Sequence, residues 1–146
     1  MAGDLIRDVR RATLARLKAD PAVLDLVAAA AIHPSTTPAN PAWPFTRFDA
    51  PLSVPLDMTC VAGATVTFLL HGFAKSRQVG GAVVETAEDH ASRIGSALKA
   101  SLHNKRLPLG DGTALLKVRS SRLLRDGDEE DAYHSVLSVE ARVLAA

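Results

Sequence analysis

Two stretches in the second half of the chain, Thr113–Arg125 and Ala132–Leu144, alternate between apolar and polar residues. Thr86–His103, just upstream, repeats its apolar residues at helical spacing instead. Side chains on a strand point alternately to its two faces, so period two marks a half-buried strand and period 3.6 an amphipathic helix. In the first stretch Leu116 and Val118 oppose Lys117 and Arg119. In the second, Tyr133, Leu137, Val139, Ala141 and Val143 oppose His134, Ser138, Glu140 and Arg142. The helix carries Ala87, Ala91, Ile94, Leu98 and Leu102 on one stripe and opens with Thr86 and Asp89 in a capping-box pattern. The run Asp126-Gly127-Asp128-Glu129-Glu130-Asp131 is the turn between the strands. A chain built this way must lay a helix on a sheet that keeps one face polar.

The first half supplies less regular material. Asp4–Lys18 reads as a helix with Ile6, Val9, Thr13 and Leu17 inward, and Asp20-Pro21 restarts a short one to about Ala29 that presents Leu24 and Val27 to the core. Six prolines fall within Ile32–Pro55, which excludes long helices and central strands. The reading there is an extended loop over 33–55 with one short strand, Trp43–Phe48, at a sheet edge. Thr59–Gly72 alternates, with Ala64, Val66, Phe68 and Leu70 on one face and Thr65, Thr67, Leu69 and His71 on the other. Lys75–Gly81 is a turn or loop, and Asn104–Gly112 is a connection. The predicted fold is α+β: an antiparallel sheet of about four strands, with an N-terminal helix and a central amphipathic helix packed on one face. One domain is expected to span 1–146.

Composition narrows the function classes. A chain of 146 residues fits one domain that buries roughly 70% of its unfolded surface. Aromatics make up only 4%, so the core is expected to be Ala, Val and Leu. A net charge of +1 excludes a strongly basic nucleic-acid binder, though not a local basic strip. The lone Cys60 rules out an internal disulfide and a thiolate-rich metal site, and is expected to be a small buried residue in a strand. The charged start and the lack of a long apolar run predict a soluble protein of a reducing compartment, with no membrane partner.

Chemical motifs are sparse. His33, His71, His90, His103 and His134 are spread singly, with no helical pair to hold a metal, and each is expected at the surface or a sheet edge. Asp126, Asp128 and Glu130 occupy the first, third and fifth places of a calcium-type loop. The sixth place, however, is Asp131 where Gly is needed, and the twelfth is Leu137 where Glu is needed. Gly80-Gly81 and Gly110-Asp111-Gly112 lack the spacing of a phosphate loop, and no serine sits in a Gly-x-Ser-x-Gly elbow. No catalytic, cofactor or metal residue is therefore expected, and the chain does not read as an enzyme. The basic series Lys117, Arg119, Arg122 and Arg125 stands out, with Arg125 joining Lys117 and Arg119 on one face if the strand stays regular. It reads as a solvated face, a subunit interface or a channel wall that passes DNA without reading its sequence. The interleaved aromatics of a single-strand binder are missing.

Taken in order, these elements form a pattern. An N-terminal helix Leu5–Leu17 precedes Ala19-Asp20-Pro21-Ala22-Val23, then Pro41-Ala42-Trp43-Pro44-Phe45, a strand Thr65–Phe73, a helix Ala87–Leu102 and a hairpin Val118–Val143 turning near Arg125-Asp126-Gly127. This resembles the tail-completion, or tail-terminator, proteins of long-tailed bacteriophages and related gene transfer agents. The resemblance implies a structural subunit of a virion or phage-like particle, assembled in the host cytoplasm as a hexameric ring on the tail tube. The ring would stop tube growth, join the tube to the head-closure or stopper protein at the neck, and line the genome channel. It implies no cofactor and no catalytic residue. The expected partner contacts are Trp43, Phe45 and Arg47 in the Pro-rich passage and Lys75 and Arg77 in the following loop. The alternatives are a head-closure or neck connector subunit and a small DNA-binding module using the basic series.

Overall fold

The computed structural model describes residues 3–57, 60 and 62–145. Helix α1 (Leu5–Ala19) leads into the one-turn helix α2 (Pro21–Leu24), a 3-10 turn at Ala29–Ala31 and strand β1 (Ile32–His33). Two long strands follow, β2 (Phe45–Asp57) and β3 (Ala62–Lys75), then the short pair β4 (Arg77–Val79) and β5 (Ala82–Glu85). Helix α3 (Ala87–Leu102) precedes β6 (Lys105–Leu109), β7 (Gly112–Arg125) and β8 (Ala132–Ala145). The main sheet runs β1-β2-β3-β8-β7-β6, and β4 and β5 form a separate two-stranded sheet.

Capping chemistry fixes the helix starts. The Asp4 carboxylate accepts from the Arg7 backbone N–H at 3.0 Å, Asp20 accepts from Ala22 at 3.0 Å, and the Thr86 hydroxyl accepts from Asp89 at 3.2 Å. The second helix stops at Leu24, short of Ala29. Val23 and Val27 are buried, while Leu24 faces solvent.

The fold differs from the expected four antiparallel strands carrying two helices. It is mostly sheet, a six-stranded half-barrel that is mixed because β1 runs parallel to β2, accompanied by short helices. Each missed strand has a physical reason. Strand β1 is two residues long, too short for any period to show. Strand β6 contains Pro108 at the sheet's far edge. The prolines of the supposed loop hid most of β2: the expected short strand Trp43–Phe48 overlaps only its start, and it extends thirteen residues with Pro51 and Pro55 inside it. Among the described residues β1 pairs only with Thr46 and Arg47, so the rest of β2 borders no strand on that side. A residue without an N–H is tolerated there. The turn expected at Lys75–Gly81 is the β4–β5 hairpin, with Gly80 and Gly81 at φ +59° and +81°. Thr59, the expected start of the next strand, lies outside the described residues, and β3 begins at Ala62. Cys60 is exposed at a bend before β3, not buried in a strand.

One face of the sheet packs on the helices. Val66, Phe68 and Leu70 of β3 and Leu137, Val139, Ala141 and Val143 of β8 share a core with Val9 and Leu17 of α1 and Ile94, Leu98 and Leu102 of α3. Aromatics count for more here than their scarcity suggested. Phe48 and Phe68 stack with centroids 4.3 Å apart and are among the largest fully buried side chains. The α3–sheet contact is close: a Cβ on Gly95 would lie 2.5 Å from Ser135 Oγ and 2.7 Å from its Cβ. Ser135 itself donates to the Ala91 carbonyl at 2.6 Å, so it cannot swing away freely.

This geometry gives a test with opposed signs. In an exposed helix, Gly→Ala is worth about 1 kcal/mol of stabilisation. Gly95→Ala is expected instead to destabilise the fold by about 1–3 kcal/mol through overpacking, read as a lower urea midpoint at unchanged slope.

Candidate assembly surfaces

Residues that face one another across paired strands share a side of the sheet. On the side away from α3, the upper rows run Phe45–Phe73–His134 and Arg47–His71–Val136–Arg122. There the rings form one cluster. Phe45 stacks on Phe73 at 4.6 Å, Trp43 meets Phe45 edge-on at 4.9 Å, and His71 and His134 lie 5.4 Å apart. The Lys75 ammonium sits 4.6 Å from the Trp43 ring centroid, and the Arg47 guanidinium 5.5 Å from that of Phe73. The fold thus gathers Trp43, Phe45, Arg47 and Lys75, which the sequence placed apart, in the short strand of the Pro-rich passage and in the following loop. Phe45 is buried within this cluster. Arg77 stands apart on the β4–β5 hairpin.

Of the histidines expected at the surface or a sheet edge, His33 lies on the edge strand β1, whereas others are drawn inward. His90 is buried with Nδ1 2.8 Å from the Lys75 carbonyl oxygen, and His103 Nδ1 accepts from the Val118 backbone N–H at 3.1 Å. His71 is held below the ordinary imidazole value, first by burial and then by the Arg47 charge. Asp49 opposes this, with Oδ2 3.3 Å from His71 Nε2 but poorly aligned for a hydrogen bond. Burial likewise lowers His134. Among the described residues no three His, Cys, Asp or Glu side chains are grouped to hold a metal.

The basic series is split by a bulge. Pairing along β7 and β8 shifts between Val118 and Ser120, leaving Arg119 as the extra residue. Beyond it the faces exchange. Arg122, opposite Val136, falls on the same side as Lys117, whereas Arg125, opposite Tyr133, falls on the helix side. Arg119 reaches Glu140 through two contacts, Nη2–Oε1 at 2.8 Å and Nε–Oε2 at 3.3 Å, which depresses the Glu140 carboxyl. Sequence reasoning missed Arg106. It shares a row with Leu115 and Arg142, and no alternation signal could reveal it because β6 was read as a connection.

That lower part of the same sheet side is open and mixes apolar residues with Thr65, Thr67, Glu140 and Arg142. Leu52 and Val54 of β2 are 59% and 50% exposed, Leu144 of β8 is 38% exposed, and Leu115 completes a groove between Arg106 and Arg142. A second bulge, with Ala50 and Pro51 set against Phe68 alone, keeps Leu52 on this side. At the opposite end of the strands stands the β4–β5 hairpin, its Val79, Val83 and Val84 all more than half exposed. Its base is tied to α3 by Glu85, which takes Arg93 at 2.8 and 2.9 Å and Arg77 at 3.4 Å. The hydrogen bonds from Arg93 hold Glu85 below the usual carboxylate range. Beside it lies the acidic turn, anchored by Ser76 to Asp131 and by Lys75 to Glu129 at 3.3 Å.

The half-buried His71 and His134 are expected to make stability pH-dependent. With folded values below the unfolded 6.5, the unfolded chain binds protons that the folded chain resists. Stability is expected to be full above about pH 7 and to fall as pH drops through 6.5 toward the depressed values. His71→Phe should flatten that fall, as followed by urea midpoints between pH 5 and 8.

Comparison with known proteins adds to this geometry. No curated protein sequence matches the chain. Among solved structures, a chain from the virion of a native gene transfer agent particle superposes with a TM-score of 0.74 at 18% identity, covering 95% of this chain and 96% of that one. The bacteriophage SPP1 gp17 protein superposes with a TM-score of 0.57 at 16% identity, covering 94% and 89%. At those identities the likeness is one of fold. The sequence itself matches the tail completion protein gp17 family over residues 11–144. The chain belongs to that family, whose members are structural virion proteins and not a class of enzyme.

Proposed function

We propose that this chain acts as a single domain over 1–146 and assembles into a ring of six copies on the end of a virion tail tube. The ring caps the tube protein, joins it to the head-closure protein at the neck, and lets the genome pass through its centre. The observation that carries this reading is family membership over nearly the whole chain, in a molecule whose sheet leaves one side uncovered by its own helices.

On this reading the open side of the sheet is where the copy meets either its neighbour or the channel. Lys117, Arg119 and Arg122 share that side. With Arg119 neutralised by Glu140, the net basic character is modest, suited to DNA that must slide through and not stick. Arg125 lies on the other side of β7 and is assigned to a flank between copies. Trp43 and Lys75, at the edge of the aromatic cluster, and Arg77 on the hairpin are assigned to contacts with the tube or the neck. Phe45 and Arg47 hold that cluster in place.

Native mass spectrometry over a concentration series, paired with addition of the protein to growing tail tubes, tests the proposal. The expected result is a species of six times the 15.4 kDa chain mass, and tubes that stop growing when it is added. Binding to the portal side with no effect on tube length would favour a neck connector. A monomer whose DNA affinity falls steeply with salt, and is lost in Lys117→Ala/Arg122→Ala, would favour a DNA-binding module.

A further inference from the structure

Apart from Leu24 on α2 and Leu123 and Leu124 on β7, the exposed large apolar side chains among the described residues fall into two groups at opposite ends of the long strands, and their charged surroundings have opposite sign. The upper group is the β4–β5 hairpin with Val79, Val83 and Val84, next to Asp126, Asp128, Glu129 and Glu130. The lower group is the shelf of exposed Leu52, Val54 and Leu144 with half-buried Leu115, where Arg142 stands between Val54 and Leu115 and Arg106 lies beyond Leu115. A two-stranded hairpin is marginal in water without a surface to pack on, and contiguous exposed apolar patches mark sites of association.

One molecule cannot satisfy both groups itself. Leu115 and Asp126 lie on one continuous strand and its turn, eleven residues or roughly 35 Å apart along the sheet. A second copy can. The two patches are different surfaces of the same chain, so their contact is heterologous, and a heterologous contact repeated by rotation closes a ring. We infer that the β4–β5 hairpin and acidic turn of one copy dock on the Leu52–Val54–Leu115–Leu144 shelf of the next, with the acidic turn meeting Arg106 and Arg142. This rests on the ring reading and divides the open side of the sheet. Its lower rows belong to the neighbouring subunit, leaving the upper row of Arg122 to the channel, with Lys117, in the row of Leu52, at the boundary.

Two charge-reversed chains test the contact: Arg106→Glu/Arg142→Glu, and Asp126→Lys/Asp128→Lys/Glu130→Lys. All five positions carry surface side chains, and unchanged circular dichroism and melting would confirm that both variants fold. Each alone is expected to raise the half-assembly concentration by roughly tenfold or more, and mixing the two should restore assembly, since the complementary faces then meet again. Native mass spectrometry of the mixture should show both masses in one species. If wild type assembles and the two variants assemble equally well, the ring stands and this contact is overturned. The same conclusion follows if both variants are impaired but the mixture is not restored. A wild type that stays monomeric at every concentration, and does not cap tubes, fails the ring reading first and this inference with it.

Discussion

The close seating of α3 on the sheet is the constraint from which the other features follow. Gly72 and Gly95 allow it, since a side chain on either would run into Ile94 or Ser135 respectively. Ser135 makes the contact polar as well as tight by donating to the Ala91 carbonyl. With the helices drawn onto that face, one side of β3 and β8 is filled by aliphatic residues and the Phe48–Phe68 stack. The other side carries the buried Phe45, Phe73 and Val136 in its upper rows and otherwise Thr, Ser, His, Arg and a few exposed apolar residues. A domain of this size gains its stability from one core, so the opposite face is free to carry contacts with other molecules.

Two bulges then decide which residues that free face presents. Because the side-chain period of a strand is two, one inserted residue exchanges the faces of everything beyond it. In β2 the extra residue near Ala50, held at φ 47° with its N–H bonded to the Asp49 carboxylate, returns Leu52, Val54 and Leu56 to the open side. In β7 the extra Arg119 brings Arg122 to the open side and sends Arg125 away. Both bulges lie where the helix layer no longer dictates the pattern, so they reshape the outer surface at little cost to the core.

These details mark the boundary of what the sequence could disclose. Long, strongly periodic elements were legible: α1, α3, β3, β7 and β8 appear close to their expected limits, and the caps at Asp4, Asp20 and Thr86 form as their residue types imply. Strands governed by position in the sheet were not legible. Proline is evidence against a central strand, but among the described residues β2 borders the two-residue β1 and is otherwise an edge, so Pro51 and Pro55 misled. The candidate surface residues fared similarly. Lys117 and Arg119 could be assigned a common face from alternation, whereas Arg122 and Arg125 depended on a bulge that no local pattern announces. The gathering of Trp43, Phe45, Arg47 and Lys75 with His71 and His134 is a product of cross-strand register, which no single segment contains.

The sheet edges bear on how such a chain can associate. An open strand edge normally invites another strand. Here both free edges are poor templates. The unpaired length of β2 contains two prolines and a bulge. The length of β7 beyond its pairing with β6 carries Arg119, Arg122 and Arg125 and a bulge of its own. Proline, charge and bulges are the devices that keep edges from pairing without control. On the proposed ring reading, guarded edges and exposed apolar groups on a sheet face and a hairpin favour association through side chains, where shape and charge can specify one partner and one orientation. Strand addition would let copies join at several registers and grow without limit. A ring must close at a fixed number of copies, and closure demands the single angle that a side-chain interface can define.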